Sequence, residues 1–386
     1  MLGHTQLQRA TGALRLREWA LGVLAGMPPT LPPEAGAGAW ETFLLVERCA
    51  HPLRRVLCAA GLVDGLPAHA RAVLEQRGVF EAVTTLRLRH EAAHVGRLLE
   101  AHGWRGMVLK GGAAVLGGEC EVDVIDLDLL VPPGQARDVA AAFDAAGYRH
   151  EAIDFGPEAP NRYEMAARAR DGGFPVELHF ALAPPLGTDP WAGAVPLPLP
   201  ALLRMEPANH LWHVLLHATL HHVDRRGGLR DLVVAAAAVR ACGAGQLADV
   251  ERRCAAHRHG ELPARMLRMA RAMVAGEPRD LFRCEAATAY LVSLWKQRYR
   301  PPVALLLALT RTAFALSNGS GEYGGLWHGS HTSAIPRRYA GESRLDRVFP
   351  AAATVGRAAW RSAHLAAAFA PAAWLARTAR RLASAS

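Results

Sequence analysis

Lysine is almost absent from this sequence. Among the 44 basic residues only Lys110 and Lys296 are lysines, and all the others are arginine. Against 35 acidic residues they give a net charge of +9, which suits an anionic partner such as a nucleotide, a nucleic acid or a membrane surface. In so arginine-rich a chain, a lysine directly before Gly111 indicates a position that needs a compact ammonium and not a planar guanidinium.

Long apolar runs and closely spaced cysteines are also missing. No stretch approaches the ~18 consecutive apolar residues of a membrane-spanning helix, and the N-terminal segment has no clear signal-peptide cleavage site. We therefore expect a cytoplasmic protein without a membrane span. The six cysteines show no short paired spacing, which predicts free thiols and argues against a disulfide framework or a complete zinc site.

Composition and length predict a folded chain with several regions. Of the 386 residues, 51% are hydrophobic and 20% are charged, which excludes a disordered protein. Helix and strand patterns alternate in the middle of the chain, which predicts an α+β fold: a small mixed β-sheet core with α-helical N-terminal and C-terminal regions. The predicted boundaries are a helical N-terminal region at 1–102, the mixed-sheet core at 103–183, a helical bundle at 200–317, and a loop with an Ala/Arg-rich helical tail at 318–386.

Periodicity and turn signals also predict individual elements. We expect the first 35 residues to pack loosely, and the Pro- and Gly-rich residues 183–200 to form a linker. The predicted strands are 107–109, 122–131, 148–155, 163–169 and 174–180. The predicted helices are a short one opening at 113–116 and longer ones at 135–146, 207–222, 229–241, 247–275 and 285–299.

Two aspartates stand inside an apolar run, VIDLDLLV, at residues 124–131. On a strand, Asp126 and Asp128 project from one face because residues two apart point the same way. Two such carboxylates repel each other and lose solvation unless a cation lies between them, and oxygen ligands suit Mg²⁺ or Mn²⁺. The pattern thus predicts a metal site, and its alternative is a strand edge whose acids simply face water.

A glycine pair precedes these aspartates. Gly111 and Gly112 follow a predicted strand and open a predicted helix, so their backbone N–H groups are placed to receive phosphate oxygens, and Lys110 stands at the same corner. A glycine pair alone also suits a tight turn, but a glycine corner followed by Asp-x-Asp on a strand is more specific.

A third carboxylate follows in FPVELHF, where Glu177 and His179 share one face of a predicted strand. Glu177 is favoured over Glu164 and Asp154, because the apolar alternation that flanks it is cleaner. Three carboxylates around one cleft can hold two divalent ions about 4 Å apart, an arrangement that activates an attacking hydroxyl and stabilises a leaving pyrophosphate.

Taken together, these motifs resemble the signature of the DNA polymerase β-like nucleotidyltransferase superfamily. Four stretches, LKGGAAVL, DLDLLVPPGQARDVAAAFDAAGY, VELHF and HLWHVLLHATLHH, are similar to a family of uncharacterised bacterial nucleotidyltransferases that are often found beside peptide natural-product genes. The resemblance covers roughly residues 40–275. It implies a nucleotidyltransferase core that moves an NMP from an NTP, with ATP favoured, to a hydroxyl or phosphate of a peptide or small-molecule acceptor, releasing pyrophosphate.

The resemblance also implies roles for the motif residues. The metal ligands and catalytic carboxylates would be Asp126, Asp128 and Glu177, and the NTP phosphates would lie against Lys110, Gly111 and Gly112. The family pattern has an arginine four residues ahead of the aspartate pair, whereas this chain has EVDV at 121–124. Two alternatives therefore stay open: nucleotide addition to an RNA 3′ end, and a non-catalytic binding or scaffold protein.

A histidine-rich helix is predicted downstream. His210, His213, His217 and His221 recur at spacings of three and four and share one helix face. The stretch lacks the glutamate of a His-Glu-x-x-His metal site. Two interpretations remain. In the first, which the resemblance implies, His217 and His221 contact nucleotide or acceptor together with Arg225 or Arg230. In the second, the histidines form a polar helix face and Asp231 pairs with an arginine.

Overall fold

The structure, a computed structural model, describes residues 2–150, 164–169 (as backbone), 173–182, 186–221, 227–299 and 370–384, together with Leu309 and Ala313. The side chains of residues 133, 150 and 221 lie outside this description, as do Asp154, the end of the predicted strand 148–155, and the predicted loop and first part of the tail. Among the described helices, none combines the length and the hydropathy needed to cross a lipid bilayer. All six cysteines are free thiols, as predicted.

Seven short strands form one mixed sheet in the described part of the chain, which confirms the predicted α+β fold. The strands are β1 (Gly106–Val108), β2 (Leu127–Leu130), β3 (Tyr148–His150), β4 (Glu164–Ala169), β5 (Val176–His179), β6 (Val195–Pro196) and β7 (Leu202–Arg204). Their order across the sheet is β3-β4-β5-β2-β1-β7-β6. β2 pairs with β5, and β1 with β7, in parallel; the other neighbours are antiparallel.

Two sequence predictions about the sheet were wrong in extent. The strand predicted at 122–131 begins only at Leu127, whose N–H donates to Pro175 O at 2.8 Å. The preceding residues are irregular because the Asp123 carbonyl accepts hydrogen bonds from arginine side chains. The predicted linker at 183–200 contains β6, and β7 directly after it joins the centre of the sheet beside β1. Prolines in this stretch concealed both strands, because proline is rare within sheets.

The N-terminal region is helical, with α1 (His4–Leu24), α2 (Ala37–Glu47), α3 (Ala50–Ala59) and α4 (Ala68–Ala101). The expectation that the first 35 residues pack loosely was wrong. Helix α1 buries Leu14, Leu16 and Leu21 in the main core and packs on α2. Its contribution was hidden because the buried positions include a charged residue, Arg17, which weakens the apolar pattern.

In the part of the chain that the structure describes, seven more α-helices follow up to residue 299, and another covers residues 370–384. They are α5 (Lys110–Leu116), α6 (Ala136–Ala145), α7 (Pro207–Leu216), α8 (Leu229–Ala241), α9 (Ala244–Ala256), α10 (Glu261–Val274) and α11 (Arg283–Tyr299). The segment predicted as helical at 247–275 is divided at Gly260, where a Cβ would lie 1.6 Å from Cys254 O. Helix α7 continues into a π-helical turn, His217–His221, an irregularity that is frequent at functional sites.

A buried ion cluster joins the N-terminal helices to the bundle. Arg17 donates to Glu47 and Asp280, each at 2.8 Å, and to Gly227 O at 2.7 Å. Glu47 also accepts the backbone N–H of Leu229 at 2.7 Å, in the first turn of α8. This cluster fixes the end of α2 and the start of α8, and each of these termini carries an arginine next to the cluster, Arg48 and Arg230.

Candidate functional site

Three potential ligand groups converge on the parallel strands β2 and β5. Their register sets Asp128 opposite Glu177, and Leu130 opposite His179. Since residues two apart on a strand share a face, His179 lies on the same side as Glu177. The ligand atoms of Asp128, Glu177 and His179 all lie within 4.8 Å of one another. Buried apolar residues on the opposite face hold this arrangement: Leu127, Leu129, Val176 and Leu178.

Asp128 is the electrostatic centre of this cluster. Its Oδ1 accepts hydrogen bonds from Lys110 Nζ at 2.6 Å and from His179 Nε2 at 2.8 Å. Burial alone would raise the pKa of the Asp128 carboxyl, but the Lys110 ammonium and the His179 hydrogen bond outweigh burial and hold this pKa well below its usual value. Asp128 is therefore a carboxylate at any physiological pH and faces a cation.

Lys110 is held at this corner by its backbone as well as by its side chain. It begins α5 in the left-handed region, with φ +54°, and the N–H of the preceding Leu109 donates to Asp128 O at 3.0 Å. Burial lowers the pKa of Lys110, but Asp128, followed by Glu177 and Asp126, raises it above its usual value. The predicted proximity of the glycine corner to the aspartates agrees with this geometry.

The two glycines at the corner are closely packed on the side where a Cβ would stand. Gly111 and Gly112 are both buried. A Cβ at Gly112 would lie 3.2 Å from a Val108 methyl group, and one at Gly111 would lie 3.4 Å from the Arg230 guanidinium. The glycines therefore let α5 approach its neighbours closely, a role the sequence did not indicate.

Asp126 lies just ahead of β2, partly exposed, and is not one of the three converging groups. Burial and the neighbouring Asp128 raise the pKa of Asp126, while Lys110, Arg230 and Arg48 act in the opposite direction. A carboxylate that is costly to ionise beside another carboxylate is a position that favours an added cation. Glu164, the competing acid, has only its backbone described, and the antiparallel register of β4 with β5 sets that backbone opposite His179.

The segment that lacks the arginine of the family pattern is nevertheless surrounded by arginine. Arg48, at the end of α2, forms an ion pair with Asp123 at 2.7 Å. Arg230, in the first turn of α8, donates through Nε to the carbonyl of Asp123 and pairs with Asp231 at 2.9 Å. Cationic groups distant in sequence thus lie next to the aspartate pair, where the sequence itself has EVDV.

Histidines of α7 extend from this cluster into the bundle. His210, His213 and His217 are all buried. Burial, together with Lys110, lowers the pKa of His213 well below its usual value, and burial with Arg204 lowers that of His210 to about 4, so both rings are neutral near pH 7. Neither ring nitrogen of His210 has a hydrogen-bond partner among the described residues.

Of these buried histidines, His217 is the one that borders a crevice at the site. It lines a narrow crevice with Lys110, Gly111, Arg230 and Asp231. The crevice therefore brings Arg230, from α8, next to three residues that were predicted to bind a nucleotide: Lys110, Gly111 and His217. His221, the other predicted histidine, ends the π-helical turn, and its side chain lies outside the described part.

Comparison with known proteins agrees with this geometry. A family model described as an uncharacterised nucleotidyltransferase matches residues 44–275, more than half of the chain. The chain belongs to this family. No curated protein and no solved structure matches it significantly. Family membership gives this nucleotidyltransferase a general function, nucleotidyl transfer, for which an NTP is a substrate and a divalent metal ion is the usual cofactor.

The residues of the nucleotidyltransferase fit such an ion. Two carboxylates, Asp128 and Glu177, are the hard oxygen ligands that Mg²⁺ and Mn²⁺ prefer. The Lys110 ammonium, 2.6 Å from Asp128, shows that this position already holds positive charge. His179 and Arg48 were missed as site residues. The alternation in VELHF contained the signal for His179, whereas Arg48 lies 75 residues from its partner and had no local signal.

Proposed function

We propose that this nucleotidyltransferase transfers an NMP, with ATP as the favoured donor, to a hydroxyl or phosphate of a peptide or small-molecule acceptor and releases pyrophosphate. One observation carries the proposal: Lys110 pairs with Asp128 of the Asp128–Glu177–His179 cluster and also lines the crevice beside Arg230. Carboxylates for a metal ion and cations for phosphates are therefore adjacent, which is the combination that phosphoryl chemistry requires.

The proposed metal ligands are Asp126, Asp128 and Glu177, with His179 as the residue that orients Asp128. The low pKa of Asp128 keeps it ionised, and the raised pKa of Asp126 falls when positive charge is added beside it. A bound Mg²⁺ or Mn²⁺ would neutralise phosphate oxygens and lower the pKa of an attacking hydroxyl.

Lys110 is proposed to hold the NTP phosphates together with the backbone of Gly111 and Gly112. An ammonium has three donors, so Lys110 can keep its hydrogen bond to Asp128 and still donate to a phosphate oxygen. Arg230, on the other wall of the crevice, adds a fixed positive charge. It supplies the cation that the sequence lacks ahead of the aspartate pair.

In the proposed reaction an acceptor oxygen attacks the α-phosphorus. The bond from the α-phosphorus to the bridging oxygen breaks, and the electron pair leaves with pyrophosphate. Glu177, whose side chain is about one-third exposed, is proposed to take the proton of an acceptor hydroxyl. His217 lines the crevice as a neighbour of the bound nucleotide or acceptor, and the same role is proposed for His221.

The test is label transfer from each of the four α-labelled NTPs, in Mg²⁺ or Mn²⁺, to a panel of peptides, phosphorylated small molecules and tRNA. Asp128→Asn and Glu177→Gln should lower transfer by about 10²–10³-fold, the range for losing a group that stabilises developing charge. Asp138→Asn, an exposed acid on α6, is the matched control and should keep full activity. Label on tRNA alone would favour RNA addition over the proposed acceptors.

Binding separates an inactive scaffold from an enzyme without its acceptor. Calorimetry with Mg²⁺-ATP should show metal-dependent affinity in the native chain and little in Asp128→Asn. Mn²⁺ should also broaden the NMR signal of ¹³C-labelled Lys110, and this broadening should disappear in Asp128→Asn. No label transfer together with no metal-dependent nucleotide binding would refute the proposed activity.

A further inference from the structure

Helix α4 carries two heptad seams on opposite faces. The first consists of residues at alternating spacings of four and three, and it packs against α2 and α3 inside the protein. Its members are all buried: Leu74, Gly78, Glu81, Thr85, Leu88, Ala92, Val95 and Leu99. This seam accounts for how α4 is attached to its own chain.

The second seam has the same spacing but faces away. Its residues are Ala72, Gln76, Val79, Val83, Leu86 and His90, all exposed. They lie two positions from the buried seam, which is about 200° around a helix of 3.6 residues per turn. Val79, Val83 and Leu86 are 60%, 49% and 66% exposed, and Phe80 beside them is 55% exposed. Large apolar side chains grouped in this way mark an interaction surface.

We propose that this exposed seam pairs in antiparallel orientation with the same seam of a second copy of the chain. Heptad spacing on both helices lets Val79 of one protomer face Val83 of its partner, and Gln76 face Leu86. Phe80 then meets Phe80 of the partner on the two-fold axis. The contact is self-complementary, as a symmetric dimer requires.

The charged residues beside the exposed seam favour antiparallel pairing with a second copy of the chain. In antiparallel register, Glu75 beside the seam lies next to Arg89 of the partner, and the pair occurs twice by symmetry. Neither residue has an ion-pair partner among the described residues, and both are exposed. A parallel pair would instead set Glu75 next to Phe80 of the partner, which leaves the Glu75 charge without a counterion. The seam, about 28 Å long at 1.5 Å per residue, matches a single pair of helices.

The test uses sedimentation velocity of the full chain over a range of concentrations, where we expect a reversible dimer. Glu75→Arg or Arg89→Glu alone should weaken dimerisation about tenfold, because two attractive pairs become repulsive. An equimolar mixture of the two variants should restore it, since each mixed dimer regains both opposite-charge pairs. Asp138→Arg, an exposed charge reversal on α6, is the matched control and should leave the dimer unchanged.

Restoration by the mixture is the decisive result, because a variant that merely misfolds cannot be rescued by a second one. A native chain that stays monomeric at the highest concentration overturns the proposal. So does a dimer that neither charge reversal weakens, or a mixture that fails to dimerise. A monomer in which a Val83→Cys thiol is protected from maleimide would show that another part of the same chain covers the seam, and would overturn it equally.

Discussion

Replacing Asp128 by asparagine tests the electrostatic centre of the site. The carboxylate faces the Lys110 ammonium at 2.6 Å, and the two side chains are only 7% and 17% exposed. Removing one partner of a buried pair costs about 3–5 kcal/mol, because the other charge stays buried without its counterion. We expect the lower end of that range, about 3 kcal/mol in the free energy of unfolding at pH 7, since asparagine still accepts a hydrogen bond.

Acid should reduce the difference in unfolding free energy between the native chain and Asp128→Asn. The folded pKa of Asp128 lies below the 3.8 of an unfolded aspartate, so its contribution is fully present above that value and is lost as the pH falls towards the folded pKa. Urea denaturation of the native chain and of Asp128→Asn should therefore diverge at pH 7 and converge below about pH 4.

The scarcity of lysine supplies a direct assay. The chain has two lysines, so ¹³C-lysine labelling gives two Cε signals, and Lys296→Arg assigns them. The pKa of Lys110 should lie above 10.5 in the native chain, where Asp128 raises it, and should fall in Asp128→Asn. If Lys110 titrates at the same pH in both proteins, the ammonium does not face Asp128 and the reasoning is refuted.

Three further variants test how the site is supported. Burial raises the pKa of Glu81 from 4.5 to about 7, so the free energy of unfolding should fall by about 3 kcal/mol as the pH rises through that window. Glu81→Gln should not show this fall, and urea denaturation that gives the same pH dependence for both proteins would contradict the prediction. Gly227→Ala should cost about 2–4 kcal/mol in thermal unfolding, because φ is +69° and the new Cβ would lie 2.2 Å from Phe282; an unchanged Tm would be inconsistent with this packing. Arg17→Met should lower the free energy of unfolding by about 3–5 kcal/mol, whereas Arg15→Met, at an exposed position, should leave it nearly unchanged. Similar losses in the two variants would mean that the buried ion cluster does not stabilise the fold.

Local pattern was sufficient for much of the fold. Helix α8 has its predicted bounds, Leu229–Ala241, and the strand and helix around the glycine corner occur where the periodicity places them. The exceptions have local causes. Prolines masked β6 and β7, and Asp123 diverts the chain from strand geometry because arginines occupy its carbonyl.

Some features of the candidate site were likewise predictable from local pattern, and others were not. The alternation in VELHF was sufficient to set Glu177 on the polar face of its strand, and the parallel register with β2 then brings it beside Asp128. His179 had the same signal but no assigned role until its Nε2 lay 2.8 Å from Asp128. Whether Asp126 joins the metal ligands stays a prediction.

The sequence by itself determined which carboxylates share a strand face and where a lysine follows a strand, because both depend on residues a few positions apart. Only the tertiary structure decided which cations surround them. Arg48 and Arg230 reach Asp123 across 75 and 107 residues of chain. Such contacts depend on how α2 and α8 are fixed by the buried Arg17–Glu47 cluster, and no periodicity within either helix encodes that packing.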